Sequence, residues 1–199
     1  MNDFDAIDLN ADLGEGFPDD ARLLALVSSA SICCGAHAGS PELIRATLAE
    51  ARDRGVVVGA HPGYPDREGF GRRERDVDAD AVARLIREQV ARLLALAREV
   101  GVEVRFLKPH GALYNQAQKE EPIARGVAAA AQALGLPLLG QPGTRLEAIA
   151  GELGGPFIPE GFPDRRYRPD GSLTPRTEPG ALLLPDEVAE NVRALLKAG

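Results

Sequence analysis

No stretch of about 18 apolar residues runs uninterrupted by charge anywhere in the 199 residues, so the sequence offers no membrane-spanning helix. The start, Met1-Asn2-Asp3-Phe4-Asp5, is acidic, whereas a secretory signal needs a basic start and an apolar stretch. Basic clusters are missing too. Against 23 Lys and Arg stand 30 Asp and Glu, a net charge of -7, which argues against nucleic acid or an anionic membrane as partner. Cysteine is scarce, and the two that occur, Cys33 and Cys34, are adjacent. Neighbouring strand residues point to opposite faces, so these two are not expected to bridge. Two small buried thiols in a reducing compartment fit better, and a cytoplasmic protein is expected. Neither G-x-x-x-x-G-K-[ST] nor G-x-G-x-x-G is present, so any use of ATP has to come by another route or from a partner. No serine sits in an elbow motif, although a Ser-His-Asp triad is not thereby excluded. Lysine is rare: Lys108, Lys119 and Lys197 are the whole set, so a lysine inside a motif stands out.

What is present is ordinary for a globular chain, with 44% hydrophobic and 27% charged residues. A chain of this length buries roughly 70% of its unfolded surface and needs no disulfide or structural metal to fold. No Pro/Gly/Ser linker divides it, so residues 1–199 are expected to form one domain. Short apolar runs alternate with helical patterns. Strands are expected at 5–10, 31–34, 56–60, 102–107, 136–139 and 156–159. Helices are expected at 19–29, 41–54, 78–100, 121–134, 143–153 and 185–197, with 61–77 and 160–184 as long loops. Repeated strand–helix units imply a parallel sheet, doubly wound or closed as a barrel. A short repeat stands out: Gly35-Ala36-His37-Ala38-Gly39 returns as Gly59-Ala60-His61-Pro62-Gly63. It predicts equivalent positions in successive β/α units.

All three histidines, His37, His61 and His110, fall where an expected strand ends, and glycine lies close to each. Those ends ring the ligand site in parallel α/β folds. Hydrogen-bonded structural histidines are the plainer alternative. Asp8, Asn10 and Asp12 share one face of the first expected strand, with Asp8 deepest, before Gly14-Glu15-Gly16 turns the chain. Carboxylates at a strand mouth can hold a metal, act as base or orient a histidine. N-capping could explain Asp12, but an Asp8 inside a strand needs a buried partner. Lys108 ends a strand just before His110 and can hold a substrate carboxylate or a developing oxyanion. Loop arginines around Arg72 and Arg165 suit carboxylate or phosphate recognition, or form a solvated basic face. A metal held by the three histidines and an aspartate is chemically reasonable, but the spacing does not require one.

Seven segments then stand in a telling order: Asp8–Glu15, Cys34–Gly39, Gly59–Gly63, Gly69–Arg73, Lys108–Asn115, Phe162–Tyr167 and Leu173–Arg176. The set resembles the LamB/YcsF family, that of the A subunit of 5-oxoprolinase, from residue 7 to about 184. The resemblance implies a distorted parallel β/α barrel of the glycoside hydrolase and carbohydrate deacetylase type. It implies ATP-dependent opening of the 5-oxoproline lactam to L-glutamate, ATP as co-substrate, and action with 5-oxoprolinase subunits B and C. ATP could be bound by those partners, and a homo-oligomer is an open alternative. Where the family usually has aspartate after its His-Ala-Gly motif, this chain has Ser40. Members usually continue past the point where this sequence stops, so the barrel is expected to lack its last β/α unit. Asp12, His37, His61, Lys108 and His110 are the expected catalytic residues. Asp8, Asn10, Glu15, Arg72, Tyr114, Asn115, Asp164, Arg165 and Arg176 are expected to bind substrate. A metal-dependent deacetylase-like hydrolase, and a non-catalytic subunit for small-carboxylate binding or assembly, are the competing functions.

Overall fold

The structure is a computed structural model describing residues 7–198, with side chains to 195. Its contacts divide into two compact units, Met1–Pro159 and Glu160–Gly199. The first holds six strands: β1 (Asn10–Leu13), β2 (Ser29–Cys33), β3 (Val57–His61), β4 (Val104–Leu107), β5 (Leu138–Gly140) and β6 (Phe157–Pro159). They pair in chain order and all run parallel. That winding is a curled half-barrel; a doubly wound sheet would reverse its strand order. The helices between them are α1 (Asp20–Leu24), α2 (Pro41–Arg54), α3 (Ala79–Glu99), α4 (Gly111–Ala117), α5 (Glu121–Leu134) and α6 (Arg145–Glu152).

Local chemistry sets the long helices. Ser40 caps α2 by accepting from Leu43 N–H at 3.3 Å, Pro41 opens it, and Gly55 closes it at φ 70°. Asp78 caps α3, accepting from Ala81 N–H at 2.7 Å. Apolar residues of α3 such as Val82, Ile86, Val90 and Leu93 are buried. Each contributes about 1.5–3 kcal/mol by leaving water. A Cβ on Gly126 would stand 2.5 Å from Ala79 O, so α5 can approach α3 closely only with glycine there. Among the described residues, no helix is long and apolar enough to cross a membrane.

Four expectations need correction. The first strand lies at Asn10–Leu13, not 5–10; residues 5 and 6 are outside the described part. Asp8 therefore precedes the strand and is exposed, and Ser28 and Ser29 hydroxyls donate to it at 2.6 Å each. The helix expected over 19–29 shortens to α1, because β2 already begins at Ser29. Between the strand expected at 102–107 and the helix expected at 121–134, where no element is expected, the segment after His110 forms the helix α4. Ala112, Leu113, Tyr114, Gln116 and Ala117 are all buried there, which erases the one-sided period that marks a helix in sequence. Finally, the two Gly-Ala-His repeats do not occupy equivalent positions. His61 closes β3 and pairs in register with Cys33, whereas His37 lies four residues past the end of β2.

In the second unit, α7 (Pro185–Ala198) is tied to the preceding loop by Asn191, whose side-chain amide donates to the carbonyls of Pro163 and Arg165 at 3.0 and 3.3 Å. Antiparallel bridges join Arg165 to Leu182 and Tyr167 to Leu173.

Candidate functional site

Strand ends and the loops after them bring six titratable side chains together. Asp12 stands in β1, Glu15 follows it, His37 comes after β2, His61 ends β3, and Lys108 and His110 follow β4. Lys108 Nζ lies 3.3 Å from Asp12 Oδ1, and His61 Nε2 lies 3.4 Å from Asp12 Oδ2. Glu15 is the hub. Its Oε1 is 3.0 Å from His37 Nε2, 3.3 Å from His110 Nδ1 and 4.0 Å from His61 Nε2. His61 Nε2 and His110 Nδ1 face each other at 3.0 Å. The rings of His37 and His110 stack at 3.8 Å, nearly parallel. Asp12 is the solvent-facing member, its side chain 37% exposed, while the other five are at most 7% exposed.

Backbone carbonyls fix two of the rings. His61 Nδ1 donates to Lys108 O at 2.8 Å, and His110 Nε2 donates to Phe70 O at 2.9 Å. Phe70 holds φ 53°, unusual for a bulky residue. Its ring packs edge-on against His37 and His110, with centroids 5.7 and 5.3 Å away. Asp66 shapes this loop by accepting from Gly69 N–H at 3.0 Å and pairing with Arg73 at 3.3 Å. The loop is also strapped to α4, since Gly71 O accepts from Ala112 N–H at 2.9 Å.

The group's charges sort by surroundings. Burial opposes ionisation of Asp12, but His61 and Lys108 outweigh it and hold the carboxyl well below its ordinary range. Burial raises Glu15. Burial, and then the proximity of His61, push His37 down to about 3. Burial, His61 and His37 do the same to His110, also to about 3. His61 goes the other way: burial disfavours its charge, yet Asp12 raises it overall. Glu15, His61 and His110 offer three ligand atoms within 4.8 Å of one another and could hold a metal.

The other expected site residues are placed differently. Asn10 is used within the sheet, donating to Ser29 Oγ at 2.7 Å and accepting from Ser31 Oγ at 2.8 Å. Asp8 does not join the group, and the buried partner expected for it is replaced by serine hydroxyls at its exposed position. Arg72 is exposed, with its guanidinium 5.3 Å from the Phe70 ring, and it adds to the positive field on Glu15. Tyr114 is buried in α4, and Asn115 is exposed on the same helix. Asp164, Arg165 and Arg176 belong to the second unit. Arg165, expected as a loop arginine for an anion, is buried and donates to the carbonyls of Thr174 at 2.6 Å and Ala181 at 3.4 Å. Asp164 and Arg176 are exposed. Sequence reasoning missed the central place of Glu15 and the part of Phe70. Glycines on both sides of Glu15 were the available signal, since they let its side chain fold back over the strand ends. Both thiols are buried and free, and burial raises each of them, Cys33 to about 12.

Comparison with known proteins fits this geometry. The model of the LamB/YcsF family matches residues 7–199. The A subunit of 5-oxoprolinase from Streptomyces coelicolor is 46% identical over 196 residues, which cover 95% of this chain and 78% of that protein. Its counterpart from Methylococcus capsulatus, which bears the same name, is 46% identical over 197 residues, covering 96% and 75%. The crystal structure of the lactam utilization protein from Thermus thermophilus superposes with a TM-score of 0.88 at 41% identity, covering 92% of this chain and 78% of that one.

Proposed function

As the chain belongs to the LamB/YcsF family, we propose that it is the subunit of an ATP-dependent 5-oxoprolinase that opens the 5-oxoproline lactam to L-glutamate. Subunits B and C are its partners in this reading, and ATP is the co-substrate, bound by them or at a site this chain shares. The enzyme works in the cytoplasm, in keeping with two unbridged thiols. One observation carries the reading. A partly exposed carboxylate, Asp12, is held between a lysine and a buried histidine at the strand ends of a half-barrel.

That arrangement suits the hydrolysis of an unactivated amide. Asp12 takes a proton from water as the water oxygen bonds to the lactam carbonyl carbon. Lys108, fixed 3.3 Å from Asp12, stabilises the negative charge that develops on the carbonyl oxygen. The C–N bond then breaks, and the proton on Asp12 passes to the leaving nitrogen, which becomes the amino group of glutamate. His61, its charge favoured by Asp12, holds that carboxylate, and His37 holds Glu15. Arg72 is suited to the substrate carboxylate, being exposed and close enough to act on Glu15. A lactam resists hydrolysis because the amide is resonance-stabilised, so coupling to ATP is physically reasonable.

Reconstitution with subunits B and C, ATP and 5-oxoproline tests the proposal, with glutamate formation as the readout. No glutamate is expected without this chain, and Lys108→Met is expected to lower turnover by about 10²–10³-fold. Undiminished turnover without the chain would overturn the proposal.

A further inference from the structure

We propose that Glu15, His61 and His110 form a binding site for one divalent transition ion of the zinc class, with Asp12 beside its open position. The inference holds whatever amide is the substrate and goes beyond the lactam reading.

A backbone carbonyl only accepts, so the ring nitrogens bonded to Lys108 O and Phe70 O must both be N–H. In the neutral rings this leaves His61 Nε2 and His110 Nδ1 as bare lone pairs, facing each other at 3.0 Å. Two acceptors at that distance repel unless a cation joins them. Glu15 Oε1 adds a third acceptor, 3.3 Å from His110 Nδ1 and 4.0 Å from His61 Nε2. Asp12 Oδ2 adds a fourth, 3.4 Å from His61 Nε2. One proton joins a single pair of these atoms, whereas a metal ion serves three or four at once.

The spacing fits as well. A tetrahedral ion with bonds of about 2.0–2.1 Å has ligand–ligand edges of about 3.3 Å. Two of the three edges here are 3.0 and 3.3 Å, and the third, at 4.0 Å, closes with a small swing of the Glu15 side chain. Each ligand already has the outer partner that metal sites use to fix tautomer and direction. For the histidines these are the two carbonyls, and for Glu15 it is His37 Nε2 at 3.0 Å, itself stacked on His110. Imidazole and carboxylate donors with no thiolate select an ion such as Zn²⁺ or Co²⁺. The nearby Cys33 thiol is turned to Gly14 O at 2.8 Å and stays outside the set. Three protein ligands with an open fourth position are the pattern of catalytic rather than structural zinc.

The test uses the whole purified chain, stripped with chelator and dialysed against Zn²⁺, with retained metal measured by mass spectrometry. Visible absorption of the Co²⁺-loaded protein reads the geometry. One ion per chain is expected. Glu15→Gln and His110→Asn should each lose it, with circular dichroism confirming that they fold. His37→Asn, which removes only the outer partner of Glu15, should weaken retention by about 10–100-fold. Lys108→Met leaves the three ligands intact and should keep the ion while turnover falls, so failure of the lactam reading and failure of the ion site are told apart. A wild-type chain that retains no Zn²⁺ or Co²⁺, or folded Glu15→Gln and His110→Asn variants that retain it as wild type does, overturns the proposal.

Discussion

Two five-residue segments of almost the same sequence, Gly35–Gly39 in the turn past β2 and Gly59–Gly63 at the end of β3, do different jobs. In the second, histidine is the last residue of β3; its ring is locked by Lys108 O and its inner nitrogen meets Asp12 and His110. In the first, histidine sits in the turn past β2 and reaches Glu15 through Nε2. Its Nδ1 is buried without a hydrogen-bond partner among the described residues. Their glycines differ in kind as well. Gly39 adopts φ 74°, a conformation that penalises any side chain. Gly59 is needed for space, because a Cβ there would lie 2.1 Å from the Phe106 ring. Sequence likeness over five residues therefore fixes neither register nor role. Both are set by where the strand stops.

The largest expected contrast is in catalysis. His61→Asn should reduce glutamate formation about 10³-fold, because Asp12 loses the partner that orients it. His37→Asn should cost only about 10-fold, since it acts through Glu15. Steady-state assays of the reconstituted enzyme decide this, and equal losses would break the distinction between the two segments.

Next comes stability. Gly39→Ala meets both a strained φ and contacts of 2.5 Å to Gly14 O and 2.7 Å to Cys33 Sγ, and should cost about 3 kcal/mol. Gly59→Ala forces the Phe106 ring aside without backbone strain and should cost about 2 kcal/mol. Urea denaturation gives both values, and a reversed order would show that ring displacement outweighs the conformational term.

Acid titration in the presence of chelator sharpens the contrast by sign. Unfolded histidine titrates near 6.5, while folded His37 and His110 are pushed down to about 3 by burial, with His61 next in effect. Between those values the unfolded chain binds more protons, so their contribution is complete above about 6.5 and is lost as the pH falls toward 3. Each proton adds at most about 1.4 kcal/mol per pH unit to the slope. His61 is raised above its ordinary value against the opposing effect of burial, chiefly by Asp12, so its contribution is present below 6.5 and disappears as the pH rises through the folded value. His37→Asn should flatten the rise in stability between about 3 and 6.5, whereas His61→Asn should remove a decline in stability above 6.5. Urea midpoints across pH 3–8 read both, and a common direction would refute the assignment.

The smallest effect concerns the strap over the first segment. Arg67 Nη2 donates to the carbonyls of both Gly35 and Gly39, from an exposed position. Arg67→Met should cost about 1 kcal/mol, measurable as a small loss in urea midpoint.

Much of this architecture could be read directly along the chain. Helix α2 announced itself through Ser40, Pro41 and Gly55, and α3 through its apolar stripe, because capping and amphipathic period are local properties. The strand–helix alternation gave a parallel sheet, and the placement of three histidines at strand ends put His61 and His110 where they are found. The errors arose where a neighbour decides. Asp8 could not be separated from Asp12 by pattern alone, since period two makes them alike; the pairing of β1 begins only at Asn10. Arg165 looked like an anion ligand until buried carbonyls claimed its guanidinium.

The sequence by itself determined the layered α/β architecture, the caps, and the inventory of carboxylates, histidines and one strand-end lysine, because each depends on residues within a few positions of one another. Only the tertiary structure decided that Glu15 stands among three histidines drawn from separate β/α units, and that His61 and His110 turn their inner ring nitrogens toward each other. Those facts follow from two backbone carbonyls, Lys108 O and Phe70 O, which claim the outer ring nitrogens. A carbonyl carries no side-chain identity, so its direction is set by the folded backbone and leaves no mark in the amino-acid sequence.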